Sequence, residues 1–295
     1  MTSWSLGRIG VWGHLDSLGA AEARAYARRV DDLGYGTLWV PETVGREPFT
    51  FLGMLSGETT RLNLGTSIAS IWGHDAQATR MAAMTLAEAT GGRFVLGLGV
   101  SHPHLATKLR GHAFERPLTR MREYLAAYRS AVYRGPMGDA AEPPVLVAAL
   151  RERMTDLAAT DADGAFPYLV TPERVAWMRA RLDAAAPRTR ALLAVTLPVV
   201  LADASDREAA RAYLKPYLRT PTYHASWELQ GFGPVDWELP GSDRLVDAMV
   251  ATGPPDEVRR RLSEVLAAGA DHVAIIPLAP DGSTENVATI QALAP

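Results

Sequence analysis

The chain has no cysteine, which excludes disulfides, thiolate metal sites, iron–sulfur clusters and cysteine nucleophiles. Lysine is almost missing too: Lys108 and Lys215 are the two, so arginine carries the positive charge. With 30 basic against 33 acidic residues the formal net charge is −3, which gives no basic footprint for DNA or RNA. No apolar run nears the roughly 20 residues that span a bilayer. The opening MTSWSLGRIGVWGH lacks a charged stretch followed by an apolar core. A soluble, cytoplasmic protein is expected, with neither membrane nor nucleic acid among its partners. Catalytic signatures are sparse as well. A GxSxG elbow is missing, and Glu42 has no partner carboxylate at another strand end for glycoside hydrolysis. The seven histidines form no HxH or HxxxH on a regular element, His102 and His104 being split by Pro103 in a loop, so no metal is expected.

What is present is a rhythm. Short apolar runs rich in β-branched residues alternate with segments whose apolar positions recur every three or four residues. Strands are expected at Arg8–Trp12, Thr37–Val40, Leu62–Ile68, Arg93–Gly99, and in PPVLVAAL, DGAFPYL, ALLAVTLPVVLA and DHVAIIPL. Between them lie helical patterns. Gly34 marks the end of the first, Thr171 and Pro172 start TPERVAWMRARLDAA, and Ser205 caps SDREAARAYLKPYL. Strands apolar on both faces imply a parallel sheet covered on both sides. Eight such units in 295 residues predict an α/β fold, a (β/α)8 TIM barrel forming a single domain over residues 1–295 with insertions in its strand–helix loops. The longest is the polar and aromatic segment Arg219–Ser242. In such a barrel, function resides where strands end.

Four strand ends hold chemistry-bearing residues. GLGVSH, Gly97–His102, admits three readings: a dinucleotide fingerprint, glycines relieving crowding in the barrel, or a loop cradling a phosphate. The third glycine of the fingerprint is missing and Pro103 interrupts. Of the histidines beyond it, His102 is nearer the strand end than His104. WGH occurs after the first strand (Trp12, His14) and again after the third (Trp72, His74). Aromatic walls with imidazoles suit a flat, polar-edged ligand, whereas a turn histidine, or His74-Asp75 capping a helix, is the plainer alternative. WVPET places Glu42 and Thr43 at the tip of the second strand. Glu42 could relay protons in a dry pocket or pair structurally with an arginine such as Arg46.

Together AYARRVDDLGYGTLWVPE, LNLGTSI, TLAEATGGRFVLGLGVSH, PPVLVAAL, DGAFPYLVTPE and GPPDEVRRRLSEVLAAGADHVAI span nearly the whole chain. The combination resembles the bacterial-luciferase-like superfamily of flavin- and F420-dependent oxidoreductases. The resemblance implies a (β/α)8 barrel, a homodimer, and a flavin or deazaflavin with its ring in the barrel mouth. It implies a non-proline cis peptide at Ser67–Ile68 beneath the ring. It also implies a tail site made by Gly99, Val100, Ser101 and His102 with Ala148, Ala149, Leu150 and Arg151, where amides open a helix. Two positions depart from the pattern. Many relatives carry Asp-His or Glu-His where this chain has Glu42-Thr43, so Glu42, His14 or His102 must supply the proton. Relatives usually carry a small residue where Arg151 stands, and an arginine there either clamps a phosphate or fills the site. The implied activity is hydride transfer between coenzyme F420 and a small organic substrate held by Trp12, Thr43, Trp72 and His74. The alternatives are an FMN-dependent two-component monooxygenase and a barrel with a binding role and no cofactor.

Overall fold

The computed structural model describes residues 5–186, 190–203 and 206–295. Eight parallel strands close on themselves: β1 (Ile9–Trp12), β2 (Thr37–Val40), β3 (Asn63–Thr66), β4 (Phe94–Gly99), β5 (Val145–Val147), β6 (Gly164–Ala165), β7 (Leu192–Leu201) and β8 (His272–Pro277). Each pairs with the next, and β8 closes the ring by pairing with β1, Ile9 opposite Val273. The fold is a (β/α)8 TIM barrel, as the strand rhythm predicted. Two short strands add to it: Ala69–Ser70 extends along β4, and Ala251–Gly253 along the end of β7.

Helix boundaries follow local chemistry. Thr171 accepts from the Arg174 amide, with Pro172 at the first helical position. Asp75 likewise accepts from the Ala78 amide, so the reading of His74-Asp75 as a helix start holds at Asp75. Gly34 follows the first helix with φ +85°, a conformation glycine adopts without penalty. The expected cap Ser205 lies outside the described residues. SDREAARAYLKPYL is not one helix: Glu208–Leu214 stops before Pro216, whose ring and missing N–H break the ladder, and a 3₁₀ turn follows at Tyr217–Arg219. Segment Arg219–Ser242 contains two further helices, Pro221–Glu228 and Pro234–Trp237, packed around the fully buried Trp227.

The strands' outward faces pack under the helices, and their inward faces fill the lumen. Alternation along each strand sends Trp39, Val95, Leu146, Phe166, Ala194 and Ala274 into one inner cluster. Trp39 is its largest member, wholly buried, and needs room: a Cβ on Gly65 would lie 2.4 Å from the Trp39 ring. Beside it His272 is also wholly buried. The Trp39 indole N–H donates to His272 Nε2 at 3.0 Å, and His272 Nδ1 meets the Gly7 carbonyl at 2.7 Å. Nε2 must therefore be the acceptor and Nδ1 the donor, so the neutral imidazole alone satisfies both contacts. Burial pushes its pKa down to about 4.

This has a consequence in acid. The unfolded chain takes up the His272 proton near pH 6.5, the folded chain only near 4. Stability is thus complete above pH 6.5 and falls as pH drops toward 4, by on the order of 3 kcal/mol. Urea unfolding at pH 7 and pH 4.5 should show this loss, with a shallower pH dependence in His272→Gln. An unchanged dependence would mean that the histidine does not titrate with unfolding.

Candidate functional site

Above the Trp39 layer the barrel opens into a cavity of about 740 Å³, of small-molecule size. Phe166 and Thr196 line its inner part, and Tyr168, two residues beyond Phe166 and so on the same strand face, stands over them. The Ser67–Ile68 peptide is cis and tied down from three sides. The Ser67 amide donates to the Val40 carbonyl at 2.7 Å, the Trp12 indole donates to the Ser67 carbonyl at 3.0 Å, and the Glu42 amide donates to the Ile68 carbonyl at 3.3 Å. Trp12 thus lines the cavity and holds Ser67 in place.

The glycines of GLGVSH answer to packing. A Cβ at Gly97 would lie 2.0 Å from the Thr66 carbonyl oxygen, and one at Gly99 would lie 2.5 Å from the Ile68 side chain. Both leave space for the end of β3. The cradle lies one step later. Ser101 takes φ +56°, and among the described residues the Ser101 and His102 amides have no acceptor. His102 Nδ1 is buried without a partner at the cavity wall. Burial, and then the neighbouring His104, holds its pKa below the ordinary value, so the ring is neutral. Ala148, Ala149, Leu150 and Arg151 line the same cavity from the loop after β5. Arg151 opens the Glu152–Thr160 helix and is exposed. Its guanidinium makes no hydrogen bond or ion pair with any described residue.

Glu42 also reaches the cavity, but its carboxylate is an anchor. It is 5% exposed, pairs with Arg110, accepts from the Ser70 amide at 2.7 Å and lies 3.5 Å from His74 Nε2. Its arginine is Arg110, not Arg46, which bonds the Leu15 and Leu18 carbonyls. The correction has a topological cause. The loop after β4 folds back over β2, which sequence distance conceals. Trp72 and His74 do not line the cavity. Trp72 donates to the Val100 carbonyl at 2.8 Å and packs on His112 and Phe114. His74 is turned to Glu42 and Glu47, and the nearby Glu42 carboxylate raises its pKa.

His14 does line the cavity. Its Nε2 lies 2.9 Å from the Thr43 hydroxyl and 3.2 Å from Asp16, and Thr43 reaches Asp16 at 3.3 Å. An imidazole oriented by a carboxylate and a hydroxyl is able to hold and move a proton. Sequence reasoning missed most of one wall, Tyr168, Tyr213 and Tyr217, while Tyr223 completes it from the aromatic segment Arg219–Ser242. Tyr168 was legible from its shared strand face with Phe166. The other three come from the segment after β7 and meet it only in the folded chain.

The family model described as luciferase-like monooxygenase matches residues 1–272. A Mycobacterium tuberculosis protein named "Putative coenzyme F420-dependent oxidoreductase Rv3520c" is 29% identical over 97% of this chain and 97% of its own. The coenzyme F420 dependent tetrahydromethanopterin reductase from Methanopyrus kandleri has a similar structure, with TM-score 0.74 at 17% identity over 98% of this chain and 97% of that one. The oxygenating constituent of 3,6-diketocamphane monooxygenase from Pseudomonas putida, solved with FMN, has TM-score 0.71 at 17% identity over 98% of each chain. At these identities the two structures establish the fold alone. Among the described residues no helix is long and apolar enough to cross a membrane.

Two measurements check this geometry. In an NMR titration of the imidazoles, His74 should titrate above and His102 below the ordinary 6.5. A His74 value at or below 6.5 would show that its pair with Glu42 is not formed. Arg110→Met should lower stability by roughly 1–3 kcal/mol, because it strips a buried carboxylate of its cation while Arg110 itself is part-exposed. A change under about 0.5 kcal/mol, the range of an ordinary surface substitution, would contradict the anchor role.

Proposed function

This chain belongs to the luciferase-like monooxygenase family, and on that footing we propose that it is a coenzyme F420-dependent oxidoreductase. It moves a hydride between the deazaflavin and a small organic substrate. The observation that carries the reading is the unpaired Arg151 at a helix start, lining the same cavity as the free amides of Ser101 and His102. A guanidinium, a helix N-terminus and loop amides together suit a phosphate. The partnerless His102 Nδ1 gives the same wall a further polar contact. Because Arg151 is exposed at the rim, its position supports clamping of a tail over filling its site. The relative named for coenzyme F420 supports that cofactor over FMN.

Ser67 and Ile68 would lie under the ring, and Gly99, Val100, Ser101, His102 and Ala148, Ala149, Leu150, Arg151 along the tail. When bound, the deazaflavin supplies the hydride chemistry. The chain supplies position and a proton. Glu42 is anchored by Arg110 and His102 is held neutral, so proton transfer falls to His14. Asp16 and Thr43 hold its Nε2 and so orient the ring, and Nδ1 is the atom that gives a proton to the substrate oxygen or takes it back. The reading takes residues 1–295 as one domain and the protein as a cytoplasmic homodimer. The FMN-bound structure of the same fold supports a second reading, a two-component FMN monooxygenase.

Titrating the purified protein separately with F420 and FMN separates these readings. F420 should raise the melting temperature by mass action. Tight FMN binding without F420 binding would sink the first reading, and stabilisation by neither would leave a barrel with a binding role. Arg151→Ala should weaken F420 binding roughly tenfold to a hundredfold, whereas gained affinity would mean that the side chain blocks the tail. His14→Gln should lower kcat about 10²- to 10⁴-fold with cofactor affinity unchanged.

A further inference from the structure

One wall of the cavity is built of phenols, and neither hydride transfer nor tail binding uses it. Tyr168 comes from the end of β6; Tyr213, Tyr217 and Tyr223 come from the segment after β7. Tyr217 stands edge-on to Tyr168 and Tyr223, with ring centroids 5.3 and 5.2 Å apart and planes at 75° and 86°. Tyr213 lies 5.6 Å from Tyr217. Such a wall offers another ring both faces and edges. The residues between these tyrosines in the lining, Ala212, Pro216 and Thr222, carry no charge. The charged lining residues come from other loops, and two of the three are already bonded: Glu42 to Arg110, Glu285 to Ser17 and the Thr284 amide. A carboxylate or ammonium pressed against the phenols would lose water and meet no charge on that wall, Arg151 standing on the loop after β5.

The hydroxyls add direction. Tyr168 and Tyr213 are hydrogen-bonded through their hydroxyls. Two phenols carry two protons and one link uses one, so whichever phenol ends the chain retains a proton to donate. Burial pushes the Tyr168, Tyr213 and Tyr223 phenols well above their ordinary pKa, so they act as neutral donors.

We infer that the substrate is an uncharged compound with an aromatic or alicyclic ring and an oxygen acceptor, the ring against Tyr217 and Tyr223 and the oxygen on the Tyr168–Tyr213 hydroxyls. This rests on the reading of the cavity as an oxidoreductase substrate site. Four probes test it on the whole chain, alone and with F420 added, by ligand-observed NMR: acetophenone, ethylbenzene, benzoate and benzyltrimethylammonium. Acetophenone should bind saturably, ethylbenzene roughly tenfold more weakly for want of the hydrogen bond, and the two ions more weakly again. Tyr168→Phe combined with Tyr213→Phe should bring acetophenone down to the level of ethylbenzene and leave ethylbenzene unchanged, because either phenol alone still carries a proton to donate, and Tyr223→Leu should weaken both. If the double variant does not fold, the two single variants serve, and at least one of them should weaken acetophenone while leaving ethylbenzene unchanged. Benzoate or the ammonium ion binding as tightly as acetophenone would overturn the inference, as would hydroxyl variants that leave acetophenone unaffected. Cofactor binding without acetophenone binding defeats this inference alone. Acetophenone binding without cofactor binding defeats the proposed function and leaves the ring-and-oxygen recognition standing.

Discussion

The barrel depends on filling its own lumen. Trp39 does most of this, and its indole N–H, which must find an acceptor once buried, finds the Nε2 of His272 across the strand ring. The contact fixes the tautomer of His272, which in turn binds the Gly7 carbonyl and draws the chain's first described residues against the base of the barrel. Gly10 and Gly65 are glycine because these two rings occupy the space a Cβ would need. Truncating an aromatic of this size in a packed core costs about 3–5 kcal/mol. Everything above the layer, including the cavity's inner part at Phe166, stands on it, and Phe166 itself packs 4.6 Å from Trp39.

The same economy of space shapes the site. Gly97 and Gly99 make room for Thr66 and Ile68, so the end of β3 leans toward β4 and carries the Ser67–Ile68 peptide into the mouth. Trp12 and the Val40 carbonyl hold that peptide from the other side. The Glu42–Arg110 pair fastens the β4 loop to the tip of β2, and Trp72 braces the same loop through Val100. The residues that look most reactive in the sequence, a glutamate and a histidine at strand ends, therefore serve as fasteners. Among the described residues the groups left unpaired are the Arg151 guanidinium and the amides of Ser101 and His102, while His14 faces the cavity bonded to Thr43.

Much of this was legible before folding. Each strand of the barrel lies within an apolar run flanked by helical periodicity, because parallel strands are buried on both faces. The Ser67–Ile68 cis peptide lies where family resemblance put it. What periodicity could not show was the partner of each polar side chain. Glu42 is 68 residues from Arg110 and 4 from Arg46, and proximity in sequence favoured the wrong arginine. Trp72 and His74 repeat the Trp-Gly-His of β1, but β3 is extended by Ala69–Ser70 along β4, and the chain emerges outside the cavity. Tyr213 and Tyr217 gave no signal, and the break at Pro216 spreads Tyr213, Tyr217 and Tyr223 over three short elements.

The sequence by itself determined the barrel and the lack of thiol chemistry. These follow from local quantities: side-chain polarity, strand and helix period, and the conformational freedom of glycine and proline. Tertiary structure decided which carboxylate is an anchor, which imidazoles face the cavity, and that one cavity wall is phenolic and uncharged. Those outcomes turn on contacts between residues far apart in the chain. Burial and hydrogen bonding there are set by the closed ring of strands, and no local pattern records them.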